Sequence, residues 1–114
     1  MMSQLISRIA ATIANGAYLS GAVQFNGRNI SVIEMSAGWT LAVLTFQVSY
    51  DGTNYYNLYD DNGDEVIVIV EAARRVHISI DALEQHKYIK IRSGTSVTTV
   101  AQGAERVLYV EVWT

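Results

Sequence analysis

Five dipeptides ending in glycine, Asn15-Gly16, Asn26-Gly27, Asp51-Gly52, Asn62-Gly63 and Ser93-Gly94, punctuate the chain at short intervals. Each supplies the tolerance for positive φ that a tight turn demands. The pieces between them are rich in Val, Ile, Tyr and Thr, and many alternate apolar with polar residues, so the chain is cut into lengths that suit strands and not helices. This spacing predicts an all-β, antiparallel sandwich or barrel of about eight to ten strands.

Composition narrows the reading further. At 114 residues, roughly two-thirds of the unfolded surface can be buried in one core. A single domain over 1–114 is therefore expected, with no repeat or linker to begin a second. The chain has no cysteine, which removes disulfides, thiol nucleophiles and thiolate metal sites. Its net charge is −3 and its basic residues are scattered singly except for Arg74-Arg75, so it lacks the footprint of a nucleic-acid binder. The longest apolar runs, such as Val66-Ile67-Val68-Ile69-Val70, fall far short of the roughly 20 residues that span a bilayer, and no membrane partner is expected. The stretch from Met1 to Arg8 lacks a basic segment followed by an apolar one, so export through a leader is not expected either.

Along the chain, Tyr18 to Phe25 and Ile30 to Met35 read as a hairpin pair, and Trp39 to Tyr50 reads as the longest strand. In the latter, Ala42, Leu44, Phe46 and Val48 share one face, whereas Thr45, Gln47 and Ser49 share a wet one. Tyr55 to Tyr59 and Glu65 to Val70 flank the turn Asp60-Asp61-Asn62-Gly63-Asp64. Val66 to Val70 is apolar on both faces, so a cover over its outer face is expected. Val76, Ile78 and Ile80 alternate with polar residues, as do Ile89 and Ile91. The segment Asp81 to Gln85, with a capping residue at Asp81, suits a one-turn connector. In the last strand Leu108, Val110 and Val112 point inward, leaving Val107, Tyr109, Glu111 and Trp113 outward. Residues 1–15 form an N-terminal arm or an edge strand: Leu5, Ile6, Ile9 and Ile13 fit a helical stripe, while Ile9, Ala11 and Ile13 fit the favoured strand.

Few residues in the chain could supply a catalytic constellation. A serine nucleophile at Ser20 or Ser93 would need His77 or His86, oriented by a carboxylate, and no G-x-S-x-G elbow is present. Asp60, Asn62 and Asp64 occupy positions 1, 3 and 5 of a calcium-loop pattern, with Glu71 at position 12, yet Glu65 stands where that loop requires glycine. An Asn-Gly hairpin with solvated carboxylates is the better reading. The acids lie in turns, where water keeps them ionised, so a carboxylate pair for glycoside hydrolysis is not expected. No enzyme, cofactor or metal is expected.

Tyr50, Tyr55, Tyr56 and Tyr59 interleave with Asp51, Asn54, Asn57 and Asp60. Rings beside amides and carboxylates suit a protein interface or a sugar platform, because tyrosine offers contact area with few rotors to freeze. The expected contact residues are Leu5, Ile6 and Ile9 of the arm, with Tyr55, Tyr56 and Tyr59. The chain also has no proline to guard a strand edge against pairing.

Several blocks carry a resemblance. They are Leu19-Ser20-Gly21-Ala22-Val23, Met35, the run from Gly38-Trp39 through Gln47-Val48-Ser49-Tyr50-Asp51-Gly52, Tyr59 to Gly63, Ile89 to Thr95, and Ala101 to Arg106. In order and spacing, the stretch from Ala17 to Trp113 resembles small tailed-phage virion structural proteins with a galactose-binding-like or jelly-roll β-sandwich. The resemblance implies a jelly-roll fold and a non-enzymatic capsid decoration or cement protein, binding the outer shell and bridging its subunits. Its partners would be the major capsid protein and copies of itself, and its place the capsid surface of the virion after synthesis in the host cytoplasm. The alternatives are a carbohydrate-binding module on the same fold, binding glycan through Trp39, Tyr50 and Tyr55, and a neck or tail component.

Overall fold

A computed structural model describes residues 6–78, 83 and 86–113. Its strands are β1 (Ile6–Ile13), β2 (Val23–Gln24), β3 (Asn29–Glu34), β4 (Leu44–Ser49), β5 (Tyr56–Asn57), β6 (Arg75–His77), β7 (Tyr88–Ser93) and β8 (Arg106–Trp113). They make two antiparallel four-stranded sheets, ordered β1-β8-β3-β6 and β2-β7-β4-β5. First pairs with last, second with seventh, third with sixth and fourth with fifth. The chain is thus one long hairpin, rolled until β3 meets β8 and β4 meets β7. That order is the jelly roll. The all-β sandwich expected from the alternation is the fold observed.

Period-two alternation builds the core. Ala11 and Ile13 of β1, Leu108, Val110 and Val112 of β8, and Ile30 and Ile33 of β3, the last two brought to one face by a register shift between Ile30 and Val32, point into it from one sheet. Leu44, Phe46 and Val48 of β4, with Ile89 and Ile91 of β7, meet them from the other. The first described residues form a strand and not a helix, since Ile9 packs on the core while Ile6 is exposed. Leu5, Ile80 and the Asp81 to Gln85 connector lie outside the described residues, apart from buried Leu83.

Three expectations are corrected. The Asn26-Gly27 turn does not close a hairpin: β2 joins β7 in one sheet and β3 joins β8 and β6 in the other, so the turn crosses between layers. The strand expected from Trp39 is only β4, because Trp39 to Val43 form a loop, and the longest strands are β1 and β8. The stretch Val66 to Val70 buries Val66, Val68 and Val70 and touches β4 through the Leu44–Val68 bridge, but Ile67 and Ile69 have no cover among the described residues.

Candidate interaction surface

The loops that connect the two sheets are fixed by polar groups buried beneath them. Gln102 is buried in the loop between β7 and β8, and its amide makes every hydrogen bond it can. Nε2 donates to the Thr40 carbonyl (3.0 Å) and to Ser93 Oγ (2.8 Å). Oε1 accepts from the Thr40 amide (2.9 Å) and from Arg106 Nε (3.1 Å). Its backbone adds a bond from the Gly16 amide and one to the Ala17 carbonyl. One side chain and its peptide therefore tie together the loops before β2, before β4 and before β8.

A second network lies on the outer side of the other sheet. Arg92 points outward from β7, yet its side chain is only 4% exposed because residues 57–65 and 94–99 lie over it. Its guanidinium donates to Thr45 Oγ1, Asn57 Oδ1 and Glu65 Oε2, each at 2.9 Å. Thr45 Oγ1 donates in turn to the Gly94 carbonyl (2.6 Å), and the Ser96 amide donates to the Glu65 carboxylate. The wet face expected for Thr45 is thus covered. Gly94 is required here: its φ is +93°, and a Cβ would stand 2.5 Å from the Thr98 carbonyl oxygen.

These clamps hold exposed apolar side chains in place. Because Val66, Val68 and Val70 face inward, Ile67 and Ile69 face out, and Ile69 is 80% exposed. Val97, 91% exposed, sits one residue beyond Ser96, which is bonded to Glu65 two residues before Ile67. Tyr59 is also exposed, and its hydroxyl reaches Ser96 Oγ (3.5 Å). Leu41 projects from the loop that Gln102 grips at Thr40. Ile67, Val97 and Tyr59 therefore gather around the Glu65–Ser96 contact, whereas Ile69 lies further along, in a cleft with Arg74, Arg75 and His77 at the β6 edge. The turn after Tyr59 carries Asp60, Asp61 and Asp64, which gives this apolar patch an acidic rim.

The residues singled out by sequence are dispersed. Tyr59 joins the patch. Tyr56 is exposed at the sheet edge opposite Val48, whereas Tyr55 is half-buried with Lys90 Nζ 4.3 Å from its ring centre. Ile6 and Ile9 lie on β1 in the other sheet, so the three tyrosines and the N-terminal residues do not make a single platform. Trp39 is withdrawn into the core at 6% exposure, and its indole N–H donates to the Ala42 carbonyl (3.2 Å). It cannot stack on a sugar.

Groups weighed for catalysis have structural employment. Ser20 Oγ accepts from the Ile91 amide and donates to the Gly21 carbonyl, and Ser93 Oγ receives Gln102. Asp60 Oδ1 accepts from the Asn62 and Asp64 amides, which closes the turn as an Asn-Gly hairpin. Glu71, the twelfth position of the calcium pattern, pairs with Arg74, and Glu65 is held by Arg92. Among the described residues, no three His, Asp or Glu side chains converge as metal ligands. Neither Gln102 nor Arg92 declares its role by spacing or motif. The one sign of the former is a lone amide in the otherwise small, apolar run Val100 to Ala104.

The outer face of the β1 sheet carries a closed quartet of charges. Arg8 pairs with Glu34 (2.8 Å) and Glu111 (3.4 Å), and Arg75 with Glu34 (2.7 Å) and Glu111 (2.6 Å). Hydrogen bonds from Arg75, aided at Glu34 by Arg8, hold both carboxyls below their ordinary pKa of 4.5. Carboxyls depressed in the folded state stabilise it above the unfolded pKa, and that contribution is lost as pH falls through the folded values. In acid titration followed by circular dichroism, Arg75→Gln should therefore weaken the dependence of stability on pH below 4.5. An unaltered profile would show the quartet to be energetically silent.

The class defined by these features is a jelly-roll sandwich with exposed apolar side chains on hydrogen-bonded connecting segments. Comparison with protein-family models, curated proteins and solved structures finds no match to the chain.

Proposed function

We propose that this protein is a non-enzymatic structural protein that docks on the outer shell of a phage particle as a decoration or cement protein. One observation carries the reading: Ile67, Val97 and Tyr59 are exposed on segments that the Arg92–Glu65 network ties to the sheet at Asn57, Glu65 and Ser96, with exposed Ile69 continuing from them. Apolar side chains on mobile loops would lose entropy on binding, whereas these are already ordered and water-facing, as an interface core requires. The acidic rim of Asp60, Asp61 and Asp64 suits a shell site with basic residues around an apolar depression. The sequence resemblance supplies the phage context.

The test is cosedimentation of the purified protein with particles stripped of it. Ile67→Glu combined with Ile69→Glu should abolish cosedimentation and leave the circular dichroism spectrum and melting unchanged, since both side chains already face water. Retained stoichiometric binding by this variant would remove the patch from the contact. A copy number per particle matching the shell subunits supports decoration, and a far smaller one assigns the protein to neck or tail.

One observation favours a second reading, a glycan-binding module. Tyr50 is almost fully exposed beside a shallow cleft of about 290 Å³ lined by Asn26, Gly27 and Lys87. Its loop is fixed by Asp51, whose carboxylate accepts from the Thr53 and Asn54 amides, the Asn54 side chain and the Ser49 hydroxyl. A glycan array separates the readings: signal lost in Tyr50→Ala supports the second, and silence leaves it without support.

A further inference from the structure

Three of the four sheet edges are short, with β2 and β5 at two residues and β6 at three, whereas β1 is an edge of eight residues. Short edges are a common guard against strand pairing, as are proline, lysine and bulges. β1 has none of these. It contains no proline or lysine, and its register with β8 runs unbroken from Ile6↔Trp113 to Ile13↔Arg106. Its one charge, Arg8, is neutralised by Glu34 and Glu111 of its own sheet and so does not repel a second edge.

The direction of its free backbone groups follows from two observations. A strand residue sends its N–H and C=O to the same side, and neighbours alternate. The Thr12 carbonyl accepts from the Gly21 amide, on the side away from β8. Independently, the Met35 amide and the Ser31 carbonyl bond toward β6, at Arg74 and Ile78, so Val32 and Glu34 face β8. Carried through the register, this turns Tyr109 and Glu111 toward β3, Val110 and Val112 toward β1, and Ser7, Ile9 and Ala11 toward β8. Both routes leave the peptide groups of Arg8 and Ala10 facing outward, with no backbone partner among the described residues.

We infer that β1 pairs antiparallel with β1 of a second copy about a twofold axis at Ile9, joining two four-stranded sheets into one of eight. Arg8 and Ala10 then exchange hydrogen bonds with Ala10 and Arg8 of the other copy. The two Ile9 side chains meet across the axis as a close, non-hydrogen-bonded pair on the core side, and the shared ladder stops short of Thr12, whose carbonyl already holds the Gly21 amide. An axis at residue 8 would instead set Arg8 against Arg8. A twofold contact needs an edge complementary to itself, and the register at Ile9 makes this one so. The pairing uses the β1 edge, at the far side of its sheet from the β6 edge beside Ile69, and does not rest on the proposed function.

The register dictates the test, performed on the full chain. Because the protein has no cysteine, single-cysteine variants report one contact each. Close cross-strand pairs have Cα atoms about 4.5 Å apart, within disulfide reach. Under mild oxidation Ile9→Cys should form a covalent dimer and Ser7→Cys should not, since residue 7 faces residue 11 of the other copy. Crosslinking at both positions, or at neither, overturns the proposal. In sedimentation equilibrium the unmodified chain should show twice the monomer mass, and Ala10→Pro the monomer mass with its β spectrum retained. Proline at 10 removes only an outward N–H, so the β1–β8 ladder survives. A folded Ala10→Pro that remains dimeric, or an unmodified chain that is monomeric at all concentrations, also overturns it.

Discussion

Replacing Gln102 with leucine should cost the fold about 4 kcal/mol, although the two side chains are of similar size. A buried polar group that loses its partner costs about 1–3 kcal/mol. The substitution removes four hydrogen bonds, to the Thr40 amide and carbonyl, the buried Ser93 hydroxyl and Arg106, and at about 1 kcal/mol net apiece the loss reaches about 4 kcal/mol. Gln102→Glu should lie between, because it keeps an acceptor for the Thr40 amide and Arg106 but loses the two donations. The measurement is urea denaturation followed by tryptophan fluorescence, which reports on Trp39 beside the same loop. A loss below about 1 kcal/mol for the leucine variant would mean that water replaces the amide and that the loops are not clamped. Domains of this kind hold only about 5–15 kcal/mol in total, so the expected loss is large enough to populate the unfolded state.

The second large effect concerns Arg92 and Glu65. Arg92→Met should destabilise by about 3–5 kcal/mol, since it leaves the Glu65 carboxylate, itself only 11% exposed, beneath the covering loops without its cation. Arg92→Met combined with Glu65→Leu should recover much of that loss, because removing both charges also removes the cost of burying them. Thr45 still donates to the Gly94 carbonyl in the double variant, so the turn at Gly94 keeps one anchor. A double variant as unstable as the sum of the singles would show the two groups acting independently. The same pair should govern the order of the segments that cover it. Proteolysis of the 94–99 segment in Arg92→Met should become rapid, as the covering segments lose their tie to the sheet.

Alternation made the layers legible in advance. Leu108, Val110 and Val112, like Leu44, Phe46 and Val48, declare their inward face by spacing alone, and they are buried as read. Spacing does not declare which sheet a strand enters. Asn26-Gly27 has the chemistry of a hairpin turn, yet β2 and β3 part company after it, because each finds its partner far along the chain. Nor does spacing distinguish a polar residue facing water from one roofed by a loop. Arg92 occupies an outward position and looks solvated until residues 57–65 and 94–99 are placed over it. The tyrosines illustrate the converse limit. They are close in sequence, but strand alternation and the sheet edge send Tyr55, Tyr56 and Tyr59 to separate surroundings, and only Tyr59 reaches the apolar patch.

The pairing of first strand with last sets an order on biosynthesis. While a ribosome is still making the chain, β1 has emerged but β8 does not yet exist, so the longest edge of the molecule is without its mate until all the intervening strands have been made. Closure of the outermost rung is therefore a late event, and any stall or truncation ahead of Arg106 releases a polypeptide whose opening strand can be satisfied only by a foreign one.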